Sequence, residues 1–319
     1  HPVAHSFPTR RSSDLDEEGN YLHYTDKVKG DIMNFLDLYS DSGSFCLSVS
    51  FKAPHVEDSD PRQFIYHPRY EKLFADEVIP VQETAAPKYW EKFPKDLKTN
   101  NEARKRWEIR FSTPEKYQES VKGYYRLIKG VDDVVGAMRK KLEEKGISKN
   151  TIIMFMGDNG FYLSEHGMAG KWYAHEESIR VPFLIYNPMF KEKVKGKKLD
   201  QMALNIDVAP TILSLAGVEV PEEMQGKSVL PLINEENIPW RNEFFYEHTI
   251  EIPTIPKSIG VVTKDYKYVV YPELESGFKE FYDRKNDPLE KRNLVDEPEY
   301  TELIEQYAGK LDSMKMAVQ

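Results

Sequence analysis

Asp158 and Asn159 directly follow the apolar run TIIMFM and precede Gly160, so a carboxylate and a carboxamide stand where a buried strand would end. Such oxygens are hard ligands, suited to Ca²⁺ or Mg²⁺ rather than to zinc. Further along the same loop, GFYLSEHGMAGKWYAHEES, Lys171 offers an ammonium and His166 and His175 offer imidazoles. A second apolar run, FCLSVSF, leads into Lys52-Ala53-Pro54-His55, which puts a Lys and a His at another strand end. Together these groups could hold a divalent cation and donate to an anion bound on it. The same residues have plainer uses. Asp-Asn-Gly is also turn chemistry, and a loop histidine is often solvated or structurally bonded.

In open α/β sheets ligands sit beyond the carboxyl ends of the strands, so strands must deliver these groups. Residues 45–51, 151–156 and 181–186 are short apolar runs read as buried strands, with Cys46 a small apolar residue inside the first. Thr25-Asp26 caps a helix whose apolar face is Val28, Ile32, Phe35 and Leu36. Thr113-Pro114-Glu115 opens a long amphipathic helix that Gly146 ends. Its stripe is Tyr117, Val121, Tyr124, Ile128, Val131, Val135, Met138 and Leu142, a core-packing pattern. Between them, residues 55–110 are rich in Pro, charge and aromatics without periodicity, as in a long insertion with one or two short helices. Residues 207–215, closed by Gly217, form another helix. This order predicts an α/β sandwich around a largely parallel sheet. After Pro231, residues 241–247, 258–263, 266–271 and 280–283 alternate apolar and polar, with Lys264-Asp265 as a turn. They predict an antiparallel meander and a final helix from about Pro298, together a smaller second lobe.

Composition narrows the classes. The chain has 319 residues, 44 Lys and Arg against 53 Asp and Glu, and one cysteine. That excludes an intrachain disulfide framework and any multi-thiolate zinc site. The acidic balance speaks against nucleic acid as a partner, and no apolar run approaches the ~18 residues of a membrane span. The dense stretch Lys191, Lys193, Lys195, Lys197 and Lys198 reads as a solvated loop, with a polyanion contact as the alternative.

The stretch FMGDNGFYLSEHGMAGKWYAHEESIRVPFLIYNP closely resembles the metal-and-lysine region of the sulfatase family, within the alkaline-phosphatase-like fold. SFKAPH is similar to that family's strand-and-histidine motif, and IDVAPTILSLAGVEVPEEMQGKSVLPLI to its helix-and-loop before the C-terminal lobe. FYDRKNDPLEKRNL resembles its C-terminal Tyr-Asp…Asp-Pro…Glu…Asn-Leu stretch. The resemblance implies a three-layer α/β sandwich with a mixed central sheet, a catalytic domain over residues 16–235 and a C-terminal α+β subdomain over 236–319. It implies hydrolysis of sulfate esters on carbohydrates, of the bacterial polysaccharide or glycosaminoglycan type. Asp158 and Asn159 would be ligands of an active-site Ca²⁺, with Mg²⁺ as the alternative. Lys171 would bind the sulfate, and His55 would donate to the sulfate or to the leaving oxygen. Lys52, His166, Trp172 and His175 would contact substrate, the two histidines having loop-bracing hydrogen bonds as their other reading. Export to the periplasm or cell surface is the compartment the resemblance implies. Two alternatives stay open: a phosphodiesterase or phosphonate hydrolase of the same fold, and a non-catalytic binder of sulfated glycans.

The family's nucleophile is a formylglycine hydrate made from Cys or Ser in a Cys/Ser-x-Pro-x-Arg motif, accompanied by an aspartate pair. Cys46 is followed by Leu47, Ser48, Val49 and Ser50, which lacks both the Pro and the Arg. Ser6-Phe7-Pro8-Thr9-Arg10 satisfies the pattern, yet residues 5–15, HSFPTRRSSDL, match one translated frame of a common sequencing-library adapter. Residues 1–15 are therefore expected to be artefactual and disordered, with the formylglycine segment and the N-terminal strands of the sheet missing. Asp132-Asp133, inside the long helix, reads as an exposed pair rather than as the metal-site aspartates. The expected outcome is that residues 16–319, purified, release no measurable sulfate from an aryl sulfate; turnover would contradict this reading.

Overall fold

The computed structural model describes residues 3–6, 12–15, 18–39 and 43–318. In chain order the elements begin with β1 (Val3–Ser6), β2 (Ser13–Leu15), β3 (Tyr21–His23), α1 (Tyr24–Tyr39) and β4 (Cys46–Val49). The insertion carries α2 (Pro87–Glu91), α3 (Lys95–Lys98) and α4 (Glu102–Arg110), and α5 (Pro114–Glu144) follows. Next come β5 (Ile153–Met156), β6 (Tyr162–Leu163), β7 (Ala169–Gly170), α6 (Glu176–Ile179), β8 (Phe183–Tyr186), α7 (Val208–Leu215) and α8 (Leu230–Ile233). The chain closes with β9 (Glu243–His248), β10 (Ser258–Thr263), β11 (Tyr266–Val270), β12 (Lys279–Asp283) and α9 (Thr301–Val318). Compactness divides the chain into residues 1–82, 107–154 and 185–189, and residues 83–106, 155–184 and 190–319. This differs from the expected boundary at 235/236, because the loop after β5 is built onto the C-terminal sheet.

In the first unit the face Val28, Ile32, Phe35 and Leu36 of α1 is buried with Val134 and Leu142 of α5. Thr113 caps α5 by accepting the Lys116 N–H at 3.3 Å, and Gly146, at φ +71°, ends it. Leu127 and Val134 are buried, whereas Ile128 of the expected stripe is exposed. The adjacent apolar pairs Leu127-Ile128 and Val134-Val135 leave the buried meridian open by one residue, and packing selects the first of each. Phe45, Leu47, Val49 and Phe51 pack on this core, but Cys46 is exposed. The buried Cys46 of the sequence reading is corrected, since alternate strand residues face opposite ways and only the odd-numbered face meets the core. The insertion has irregular backbone, which arginines satisfy. Arg126 donates to Tyr66 Oη and to the carbonyls of Glu71 and Leu73 at 2.6–2.9 Å. Arg110 donates to Gln63 and Asp58 at 2.9 and 2.7 Å.

β1 lies parallel to β4, with Val3 opposite Cys46 and Ser6 opposite Val49, and β2 pairs antiparallel with β3. The stretch expected outside the fold therefore includes two strands. Main-chain pairing is indifferent to side-chain identity, so the open edge of β4 can accept any extended segment. Residues 7–11, including Phe7 to Arg10 of the Ser-x-Pro-x-Arg match, lie outside the described residues, as does Asp16. β5 and β8 form a further two-stranded sheet. Both were read as buried, yet Phe155, Leu184 and Tyr186 are exposed, one face of the pair being uncovered among the described residues.

The second unit centres on the antiparallel sheet β12-β11-β10-β9. Val261, Tyr268 and Phe281 bury one face with Tyr307 and Leu311 of α9. Val269 and Tyr271 bury the other with Phe93, Leu97, Tyr162, Met168 and Tyr173. Lys267, Glu280 and Ser258, polar positions of this sheet, are 0–1% exposed. Both faces are covered; Lys267 and Glu280 meet polar partners, and Ser258 Oγ has no hydrogen-bond partner among the described residues. The IDVAPT segment is a brace of the same unit. Asp207 is fully buried; its carboxylate accepts the N–H groups of Leu204 and Lys227 at 2.7 and 2.8 Å and grips the Arg241 guanidinium with both oxygens. Thr211 Oγ1 donates to the Asp207 carbonyl and accepts the Val229 N–H. Removing one partner of a buried pair costs about 3–5 kcal/mol. Asp207→Asn is expected to lower the unfolding free energy by that order, read as a lower urea midpoint with an unchanged slope; an unshifted midpoint would contradict the brace.

Candidate active site

β5 delivers the Asp158–Asn159 pair. Gly157 N–H donates to the Pro182 carbonyl at 3.3 Å, and Gly160 N–H donates to Ser178 O at 2.8 Å. A Cβ on Gly160 would stand 2.1 Å from the Glu177 carbonyl oxygen, so only glycine permits the turn this close to α6. Asp158 is exposed and accepts the Asn159 N–H at 2.9 Å. Asn159 donates its amide to the Gly160 carbonyl at 2.7 Å, which leaves Oδ1 to accept from Lys171 Nζ at 2.9 Å. The expected trio Asp158, Asn159 and Lys171 is thus gathered at the end of β5, an ammonium and two hard oxygen donors side by side.

That donor set suits a hard divalent cation. Two residues fill only part of the ~6–8 oxygens that Ca²⁺ takes, and among the described residues no group of three or more His, Cys, Asp or Glu could hold a metal ion. The pair fits as part of an oxygen shell. Asp132 and Asp133 are exposed as expected and share Lys129. Lys193 and Lys197 pair with Glu235, and Lys195 with Glu192, on an exposed loop.

The loop beyond is held by the C-terminal sheet. Lys267 is buried; its Nζ donates to the Ala174 carbonyl at 2.5 Å and to Glu176 at 3.2 Å. It also lies 2.5 Å from Glu290 Oε1, an ion pair outside hydrogen-bond geometry. Glu290 Oε2 accepts the Glu176 N–H at 3.0 Å, and Arg284 pairs with Glu176 at 2.8 Å. Burial opposes the charge on Glu176, but Lys267 and Arg284 outweigh it and hold its carboxyl below the usual range. Of these, Glu176, Arg284 and Glu290 stood within stretches quoted from the sequence, Glu290 as the Glu of the Tyr-Asp…Asp-Pro…Glu…Asn-Leu pattern, and Lys267 stood outside them. Lys267 carried one signal: a Lys placed among apolar strand residues.

His166 and His175 are corrected. Expected at the sugar, they are 0 and 1% exposed and stack on each other with centroids 4.1 Å apart. Tyr282 Oη donates to Glu280, so it can only accept from His175 Nε2–H, at 3.3 Å; Nδ1 then takes the Tyr162 hydroxyl at 2.7 Å. The bracing alternative is the one the geometry matches for His175. Neither ring nitrogen of His166 has a hydrogen-bond partner among the described residues, and burial drives its basicity well below the ordinary value. Trp172 is partly buried, at φ +92°, with the Arg106 guanidinium 4.9 Å from its ring centroid.

The other two expected residues belong to the first unit. Lys52 pairs with Glu57 at 2.6 Å with its side chain only 10% exposed, and Glu57 also accepts from Ser12 N and Oγ. Its charge is engaged by Glu57. His55 is exposed, and since a carbonyl only accepts, its Nδ1–H donates to Val56 O at 2.8 Å. That fixes the tautomer, and Nε2 can donate only when the ring carries both protons.

Glu165, next to His166, supplies a pH signature. Burial raises its pKa to about 7, with the nearby Glu177 adding to the rise, even though Leu163 N–H donates to its carboxylate at 2.5 Å. The folded state therefore keeps a proton that the unfolded chain loses near 4.5. Its contribution to stability is full below pH 4.5 and is lost as pH rises to about 7, by about 3 kcal/mol at 1.36 kcal/mol per unit. Glu165→Gln is expected to flatten the stability profile over that window in denaturant titrations; a profile as steep as that of the parent would contradict the assignment.

The fold and this geometry can be set beside known proteins. The family described as Sulfatase matches residues 3–218, and that described as N-sulphoglucosamine sulphohydrolase, C-terminal, matches 164–317. An N-acetylglucosamine-6-O-sulfatase of Bacteroides thetaiotaomicron is 36% identical over 192 residues, covering 58% of this chain and 34% of the relative. An arylsulfatase of Clostridium perfringens is 31% identical over 294 residues, 89% of this chain and 56% of the relative. The chain thus spans between a third and a little over half of these relatives. A solved structure of a protein in complex with its substrate D-glucosamine-2-N,6-O-disulfate has a TM-score of 0.78 at 23% identity, over 96% of this chain and 74% of that one. A phosphonate monoester hydrolase of Agrobacterium radiobacter shares the fold, with a TM-score of 0.70 at 21% identity over 92% of this chain and 60% of that one. The α/β architecture with its C-terminal antiparallel sheet is therefore the one sulfatases share, and the chain belongs to the sulfatase family.

Proposed function

We propose that this chain is part of a sulfuric ester hydrolase that removes sulfate from a sulfated carbohydrate. The observation that carries the reading is the Lys171–Asn159–Asp158 cluster at the end of β5, in a chain of this family. A sulfuryl group keeps negative charge on its oxygens throughout transfer, so fixed positive charge stabilises it without moving during reaction. Lys171 supplies that charge, and Asn159, oriented by its own amide bond to Gly160, keeps the ammonium in place. Asp158 and Asn159 would hold Ca²⁺, which when bound would draw charge from the sulfate oxygens. His55, in the first unit, is the residue that the family resemblance makes the donor to the sulfate or to the departing ester oxygen. Formylglycine is the nucleophile that family membership implies, and no residue described here is assigned to it. Export to the periplasm or cell surface goes with this reading; no helix among the described residues is long and apolar enough to cross a membrane.

The phosphonate hydrolase that shares the fold keeps a second reading in play, and one experiment separates the two. Calorimetric titration of the chain, with and without Ca²⁺, compares N-acetylglucosamine 6-sulfate, unsulfated N-acetylglucosamine and a phosphonate monoester. Binding is expected to need the sulfate and to strengthen with Ca²⁺. Lys171→Ala is expected to weaken it at least about tenfold, ~1.4 kcal/mol. Indifference to sulfate or to Lys171 would sink the proposal, and preference for the phosphonate would favour the second reading.

A further inference from the structure

The group that seats α6 comes from the far end of the chain. Glu176 is the first residue of α6, so its N–H has no partner within the helix, and the side chain of His175 before it makes no bond there. Glu290, 114 residues later, supplies the acceptor. Its Oε2 takes that N–H at 3.0 Å, and its Oε1 lies 2.5 Å from Lys267 Nζ. Glu290 is fully buried, and its backbone stands at φ +51°, a left-handed conformation that glycine adopts freely and a glutamate does not. The turn after β12 enforces that conformation. Glu290 N–H donates to the Asp287 carbonyl at 3.0 Å, Asp287 N–H to the Asp283 carbonyl at 2.8 Å, and Arg292 N–H to the Asp287 carboxylate at 2.8 Å. Strain of this kind persists only where the surroundings over-determine it. A glycine would relieve the backbone but would leave the Glu176 N–H and the Lys267 ammonium without this carboxylate.

We propose that Glu290 is a positioning residue of the sulfate site, acting on Lys171 through α6, Gly160 and Asn159. This rests on the proposed function above. The path is a continuous run of hydrogen bonds. Lys267 and Arg284 engage the side chain of Glu176, whereas Glu290 engages its main chain and so the helix itself. With only four residues, α6 cannot keep its place by helix strength alone. Gly160 N–H donates to Ser178 O within α6, and the missing side chain of Gly160 lets it lie against the Glu177 carbonyl. Asn159 donates its amide to the Gly160 carbonyl, and that bond turns Oδ1 toward Lys171 Nζ. A displaced α6 would carry Gly160 with it, and Asn159 would lose the bond that aims it at the ammonium.

The test is calorimetric titration of the full chain with N-acetylglucosamine 6-sulfate and with the unsulfated sugar, Ca²⁺ present, at a temperature where circular dichroism shows the variants folded. Glu290→Gln is expected to weaken the sulfated ligand at least about tenfold. Asp207→Asn breaks a buried pair elsewhere in the same unit and is expected to stay within about twofold of the parent, which separates positioning from loss of stability. Glu290→Asp keeps the charge on a shorter arm and is expected to recover part of the affinity. Combining Glu290→Gln with Lys171→Ala is expected to bind within about twofold of Lys171→Ala alone, because the glutamate acts through that lysine. If Glu290→Gln does not fold, Lys267→Met with Glu290→Met, which removes both charges of the pair, takes its place in each comparison. An equal loss in Asp207→Asn, independent losses in the combined variant, or no loss at all overturns the proposal while leaving the sulfate site standing. If the unmodified chain binds the sulfated sugar no better than the unsulfated one, the proposed function fails and this inference with it.

Discussion

The buried ammonium of Lys267 is the constraint around which the second unit is organised. A charge taken out of water is strongly unfavourable unless it is paired and hydrogen-bonded. Here the partners are the Ala174 carbonyl, Glu176 and Glu290. Two of them belong to the loop bearing Lys171, and the third follows β12. Satisfying one lysine therefore fixes that loop against the meander. The loop needs such fixing, because Ser164, His166 and Trp172 all have positive φ, a conformation that costs about 1–3 kcal/mol per residue and persists only where surroundings over-determine it.

A second polar knot lies on the same sheet face. Glu280, fully buried, accepts hydroxyls from Tyr271 and Tyr282 at 2.6 and 2.7 Å and lies 3.4 Å from His175. Burial works against its charge, yet the His175 ring and the two phenols hold its carboxyl well below the usual range. His175 in turn takes Tyr162 of β6 and stacks on His166. The histidines that looked like sugar ligands are thus part of the framework beneath the loop.

The small cluster at the end of β5 depends on this framework in a specific way. Gly160 can approach the Glu177 carbonyl only because α6 is seated by Glu176 on Lys267 and Arg284. Asn159 can present Oδ1 to Lys171 only because its amide is spent on Gly160.

Much of this was legible in the sequence. The apolar face of α1, the cap of α5, the four strands of the meander and the trio Asp158, Asn159 and Lys171 follow from local rules of periodicity, capping and strand ends, which act over a few residues. What tertiary structure alone decided concerns burial of polar groups. A Lys or Glu alternating with apolar residues on a strand reads as facing water, and whether water is there depends on what packs against that face. Lys267 and Glu280 are covered by a loop some hundred residues earlier in the chain. His166 and His175 read as loop residues available to a ligand, and only their neighbours show them buried and stacked on each other. The sequence by itself determined which chemistry the chain could carry; the fold decided which of those groups face a ligand, because exposure is set by long-range packing that no local pattern encodes.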